Sequence, residues 1–165
     1  MIEMHIYGLA LDEDSQVPVL ILKDKEEKRV LPIWIGAMEA VAISMVLNNV
    51  NLPRPMTHDL LLQAIEALDG EVRFVDVVRL QDNTYFAEIE VLQGDKLKRI
   101  DSRPSDAIAL GLRAQVPIRV SEDVLAQVVE VREQQKYQAV LKTEDAQQWN
   151  EILEKYSLDD TKYKM

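Results

Sequence analysis

Cysteine is absent from the 165 residues, and histidine occurs twice, at His5 and His58. That excludes disulfides, thiolate nucleophiles, Cys-ligated zinc and any His-rich metal cluster. Aromatic residues are scarce at 5%. No apolar run approaches the ~20 residues of a membrane-spanning helix, and the start of the chain lacks a basic-then-apolar leader pattern. The expectation is a cytoplasmic protein with no membrane partner. Phosphate-cradling glycine loops, the G-x-S-x-G elbow and H-E-x-x-H are missing too, so several hydrolase and transferase mechanisms have no residues to run on.

Basic residues are outnumbered: 19 Lys and Arg face 29 Asp and Glu, for a net charge of −10. A protein that grips duplex nucleic acid through many phosphates carries a basic face, and the chain as a whole does not. The imbalance is local, however. From Lys96 to Arg119 there are six bases and two acids. A hydrophobic fraction of 47% is ordinary for a globular protein, and the length suits one core with a C-terminal appendage. The division expected is 1–127 as the domain and 128–165 as a helical extension.

Within that basic segment lies the most informative stretch, residues 100–113. Pro104 suits the first turn of a helix, Ser102 or Arg103 takes the N-cap, and Asp106 sits where a carboxylate favours the helix dipole. Ala107, Ile108, Ala109, Leu110 and Leu112 surround the axis, so this helix should be buried on most sides. Asp106 and Arg113 share one stripe of it. Residues 39–43 repeat the pattern of 106–110, an acid followed by alternating alanines and large aliphatics, and both stretches follow basic strand ends.

The rest of the chain supports a duplication. Strands are predicted at 1–11, 17–22 and 29–35, with Pro32 marking an edge or bulge. A helix follows from 37 to 48, then an Asn- and Pro-rich loop. Thr57 is the expected N-cap of the next helix, which carries His58 and Asp59 in its first turn. Its predicted buried stripe is Leu60, Leu61, Ala64, Ile65 and Leu68, with Asp59 facing elsewhere. Strands are predicted again at 72–80, 84–92 and 97–101, then the helix after Pro104, a short extended piece at 117–120 and a helix capped by Ser121. Thr143 begins a last amphipathic helix to Lys155. Consecutive strands joined by short turns pair antiparallel. The fold class is therefore α+β, a mainly antiparallel sheet from two similar strand-strand-strand-helix units plus a C-terminal helix.

The chemistry available is that of carboxylates and arginines. Glu39, Asp59, Asp101 and Asp106 are acids at chain corners, suited to acid–base work. Arg54, Arg103 and Arg113 suit phosphate, and His58 can act as a general base. Asp59, Asp101 and Asp106 would suit Mg²⁺ or Mn²⁺ as hard oxygen ligands, and two such ions can bracket a phosphodiester. A structural salt-bridge network uses the same residue types, and the spacing does not separate the two.

Three blocks stand out: Leu31-Pro32-Ile33-Trp34-Ile35-Gly36 with Glu39-Ala40; Arg54-Pro55-Met56-Thr57-His58-Asp59-Leu60-Leu61; and Asp101-Ser102-Arg103-Pro104-Ser105-Asp106-Ala107-Ile108-Ala109-Leu110. In that order they resemble the bifunctional nuclease domain family. The resemblance runs from about Met1 to Leu125. It implies a nuclease acting on DNA and RNA, an α+β fold with internal duplication, and a homo-oligomer. The acidity of the chain favours a single-stranded or short substrate. The alternative is a non-catalytic oligomeric module that binds a small ligand or partner protein.

Overall fold

A computed structural model describes residues 1–132 and 140–142. The first strand, β1 (Ile2–Leu11), pairs antiparallel with β2 (Pro18–Asp24), and β2 pairs with β3 (Val30–Trp34). The turns between them use left-handed residues, Gln16 at φ 57° and Glu27 at φ 55°. Pro32 lies on β3, which is an edge strand, so its missing N–H costs no ladder bond where the next strand would be. Helices α1 (Ala37–Leu47) and α2 (Thr57–Ala67) follow. A second meander repeats the first: β4 (Gly70–Gln81), β5 (Thr84–Gln93) and β6 (Lys96–Ser102), then helix α3 (Pro104–Ala114). The described chain continues through β7 (Ile118–Val120), α4 (Glu122–Arg132) and β8 (Val140–Lys142).

The sheet order is β3-β2-β1-β7-β4-β5-β6, with β8 beside β1. The two meanders therefore extend outward from β7. That strand has only three residues, yet it pairs antiparallel with Ile2–Met4 of β1 and parallel with Val75–Val77 of β4. The expected duplication is thus real at the level of architecture: mostly antiparallel, with one parallel pair, and each meander followed by helices.

The helices cover one face of the sheet. Leu9, Leu20 and Leu22 from the first meander and Val72, Val75, Val77, Ala87 and Ile89 from the second meet α1, α3 and α4 in one core. In α3, Ala107, Ile108, Ala109 and Leu110 are all buried, as its unbroken apolar circumference predicts. Gly111 lets it settle directly onto β4: a Cβ there would stand 2.8 Å from a methyl of Val75. Val128 of α4 is buried in the same core. The predicted helix from Thr143 lies outside the described residues.

One predicted face is corrected. Helix α2 packs inward through Leu62 and Ile65, whereas Leu60, Leu61 and Leu68 of the expected stripe are exposed, Leu68 by 69%. Three consecutive leucines span a wide arc, so hydrophobic spacing alone cannot choose which side of α2 turns in. Polar contacts of His58 and Asp59 at the start of the helix accompany that orientation.

On the opposite face of the second meander, charges take the place of apolar cover. Asp76 on β4 accepts two hydrogen bonds from Arg119 on β7, from Nε and Nη2, each 2.7 Å. The guanidinium of Arg119 also lies 3.7 Å from the centre of the Phe74 ring. Glu90 on β5 is buried as well and pairs with Arg99 of β6 at 3.4 Å.

Candidate functional site

Three helices begin close together above the sheet, and each carries an acid as its third residue: Glu39 in α1, Asp59 in α2 and Asp106 in α3. Each carboxylate thus lies where unpaired backbone N–H groups and the helix dipole favour negative charge. The N-cap of α2 is Met56, with Thr57 the first helical residue, a shift of one from expectation. Asp59 Oδ2 accepts the Met56 N–H at 2.8 Å. The N-cap of α3 is Arg103, and that of α1 is Gly36. A Cβ at Gly36 would collide with the carboxylate of Glu39, which folds back over it. The glycine therefore lets Glu39 reach its partner.

That partner is Arg103. Its Nη1 lies 2.9 Å from Glu39 Oε1 and its Nε 2.7 Å from Asp106 Oδ2. One cation thus joins the equivalent acids of the two units. The other oxygen of Asp106, Oδ1, lies 3.1 Å from His58 Nε2. The chain of contacts Glu39–Arg103–Asp106–His58 therefore crosses all three helix starts. Arg103 is the solvent-facing member, 65% exposed, while His58 is 13% exposed.

A second cluster ties the same helices together lower down. Arg113, 8% exposed, donates from Nε to Asp59 Oδ1. Its Nη1 donates to the carbonyls of Ala42, at 3.2 Å, and Ala109, at 2.8 Å. A side chain from α3 so satisfies groups of α1, α2 and its own preceding turn. Its Nε and Nη1, which the residue type alone would offer to phosphate, are thus engaged by protein oxygens.

The electrostatics follow from these partners. Burial pushes the Asp106 carboxyl up, but hydrogen bonds from Arg103 and His58 outweigh it and hold the group below the usual carboxylate range. Asp59 is likewise pushed up by burial and brought lower still by the Met56 N–H and Arg113. The hydrogen bond to Asp106 raises Arg103. Both acids are thus depressed in the folded state. Their contribution to stability is present above the unfolded value of about 3.9 and is lost as pH falls through the lower folded one. We expect the urea midpoint to drop as pH falls below about 4, and Asp59→Asn or Asp106→Asn to flatten that drop. An unaltered acid limb in both variants would contradict the assignment.

Asp101 does not join the cluster. It is exposed on β6, opposite Glu88 of β5, while the next residue, Ser102, faces the helix side opposite Ala87. The proposed ligand set of Asp59, Asp101 and Asp106 therefore does not assemble. Asp106 is engaged at both oxygens, and so is Asp59. Among the described residues no group of three or more His, Cys, Asp or Glu is placed to hold a metal ion. The donor set does not fit a dedicated carboxylate-bound Mg²⁺ or Mn²⁺.

Arg54 lies elsewhere, in a cleft of about 600 Å³ between the end of α1, the loop 48–56 and α2. Asp59 and Arg113 line this cleft, whereas His58, Asp106 and Arg103 do not. The first turn of α2 thus separates two surfaces: His58 meets Asp106 on one, and Asp59 borders the cleft on the other. Sequence reasoning named these residues but could not pair them, since His58 and Asp106 are 48 positions apart. It missed Gly36, whose signal was a glycine three residues before Glu39.

Comparison with known proteins agrees with this architecture. A family model described as the bifunctional nuclease domain matches residues 20–133. An uncharacterized protein of Mycobacterium tuberculosis is 35% identical over 163 residues, covering 97% of this chain and 98% of its own. Bifunctional nuclease 2 of Oryza sativa is 30% identical over 117 residues, or 68% of this chain and 36% of the plant protein. Bifunctional nuclease 1 of Arabidopsis thaliana is 29% identical over 119 residues, or 70% and 37%. The plant proteins therefore extend well beyond the shared part. With the family model covering most of its length, the chain belongs to the bifunctional nuclease domain family.

Proposed function

We propose that the protein hydrolyses phosphodiester bonds of DNA or RNA at the His58–Asp106–Arg103 cluster. The observation that carries this reading is the bond between His58 and a carboxylate kept ionised by a solvent-facing arginine. An ionised carboxylate only accepts hydrogen bonds, so His58 Nε2 carries the hydrogen it shares with Asp106. In the neutral imidazole the other nitrogen, Nδ1, then holds the free lone pair.

Nδ1 takes a proton from a water molecule as the water oxygen bonds to phosphorus. The ester P–O bond breaks, the departing oxygen takes a proton from solvent, and the imidazolium returns its own proton to solvent, which restores the neutral ring. Arg103 lies where the charge of the phosphoryl oxygens can be met, and Asp106 stabilises the imidazolium. Glu39 holds Arg103 in place. Besides substrate, the steps use only water and side chains of this chain. We keep Mg²⁺ or Mn²⁺ in the proposal solely as an ion carried in by substrate phosphates, because the protein's own carboxylates do not converge on one.

The net charge of −10 supports a single-stranded or short substrate over long duplex. Self-association in the cytoplasm completes the proposal, and the exposed Leu60, Leu61 and Leu68 are apolar surface available for it. Among the described residues, no helix is long and apolar enough to cross a membrane.

A labelled single-stranded DNA and an RNA of the same sequence should be cleaved by the pure protein, assayed with Mn²⁺, with Mg²⁺ and with EDTA. Cleavage that persists in EDTA supports a His58-centred route. Cleavage lost only in EDTA returns the ion to an essential role. No cleavage under any condition sinks the proposal. It would favour the second reading, a non-catalytic module, for which the pairing of Asp59 with Arg113 and of Glu39 and Asp106 with Arg103 is the supporting observation.

A further inference from the structure

We propose that the cleft beside Asp59 and Arg113 is a subsite for one unpaired nucleotide, its base inserted and its phosphate on Arg54. This rests on the nuclease reading for its purpose, but its chemistry is independent of catalysis. The cleft volume of about 600 Å³ lies within the range of small-ligand sites. Its lining divides in a way that suits a nucleotide. Met45, Val46 and Leu62 are half-buried and supply an apolar surface for the face of a base. Asn49, Asn51 and Gln63 are exposed carboxamides on the same cleft.

A carboxamide offers a donor and an acceptor together, which is what the edge of any base requires. Because each amide can turn over, the set discriminates weakly between bases. A purely apolar ligand would leave three amides unpaired, and a bare anion would leave the apolar surface unused. Arg54 supplies the remaining element. It is exposed, lines the cleft, and has no carboxylate partner among the described residues, unlike Arg103 and Arg113. Its guanidinium is thus available to a phosphate.

The placement also links the cleft to the reaction. Asp59 borders it and His58 is the preceding residue, on the first turn of α2. A strand that seats one base in the cleft brings its adjoining phosphates to the start of α2. A base held in a duplex stack cannot enter without unpairing. The cleft is therefore selective for strands whose bases are already free.

The test uses the full-length protein. Its amide resonances are followed by NMR during titration with adenosine 5′-monophosphate, uridine 5′-monophosphate, ribose 5-phosphate and inorganic phosphate. Both nucleotides should shift Asn49, Asn51 and Gln63, with affinities within about tenfold of each other; ribose 5-phosphate should bind at least about tenfold more weakly, since it lacks a base. Arg54→Ala should weaken nucleotide binding by about tenfold. The double variant Asn51→Ala with Gln63→Ala should remove the advantage of nucleotide over ribose 5-phosphate. Equal affinity for nucleotides and inorganic phosphate would overturn the proposal, as would shifts confined to the His58–Arg103 surface. Nucleotide binding at the cleft without any strand cleavage would remove the nuclease reading and leave the subsite standing. Cleavage without cleft shifts would do the reverse.

Discussion

Replacing His58 by alanine is expected to slow strand cleavage by about 10²–10⁴-fold, the usual contribution of a positioned general base. The fold should survive. Asp106 keeps its bond to Arg103, so only one partner of the carboxylate is removed, and the loss of stability should stay near 1 kcal/mol. Activity and unfolding midpoint must therefore separate in this variant. Asp106→Asn provides the companion measurement. An amide at that position can donate to Nε2, which reverses the imidazole tautomer and removes the free lone pair from Nδ1. It should lower kcat strongly with a smaller change in KM. Cleavage by His58→Ala within about tenfold of the parent protein would show that the base lies elsewhere.

The largest stability effect is expected far from that cluster. Asp76→Ala should cost about 3–5 kcal/mol in urea unfolding, as for other broken buried ion pairs. Asp76 is 5% exposed on its side chain and takes both of its hydrogen bonds from Arg119. Without it, a guanidinium packed on Phe74 remains beside Glu90 with its principal anion gone, and this guanidinium sits on the short strand joining the two meanders. The double variant Asp76→Leu with Arg119→Met should be less damaging than Asp76→Ala, because neither charge is then stranded. A loss below about 1 kcal/mol for Asp76→Ala would mean that solvent screens the pair enough to make it dispensable.

These two sites differ in how far the amino-acid order reveals them. The strands and the start of α3 are legible because each rests on a local signal. Alternation marks the hairpins, and Pro104 followed by Asp106 marks a helix start that the structure places at Pro104. The Glu39–Asp106 equivalence is legible too, since both follow a strand end at the same helical step.

Asp101 stands three residues before Pro104 in sequence and looks like a member of the corner, but strand parity sends it to the other face from Ser102. The alternation Ile100-Asp101-Ser102 carries that parity. Asp76 carries a similar clue, an acid between Val75 and Val77 that must face away from the core they fill. Its partner, Arg119, could not be read, because parallel pairing of β4 with β7 is a property of the whole topology. The same holds for α2, where Leu62 and Ile65 turn inward on a helix whose Asp59 meets Arg113, 54 positions away.

The three-residue strand at the middle of the sheet also dictates an order of events during synthesis. Ile2 is made well before its neighbour Val120, which follows only after both hairpin sets exist. At typical translation speeds the wait is on the order of ten seconds. The Ile2–Met4 end of β1 must pass that interval unmatched, so the nascent polypeptide is vulnerable there to pairing with another nascent copy until Arg119 and its strand neighbours arrive.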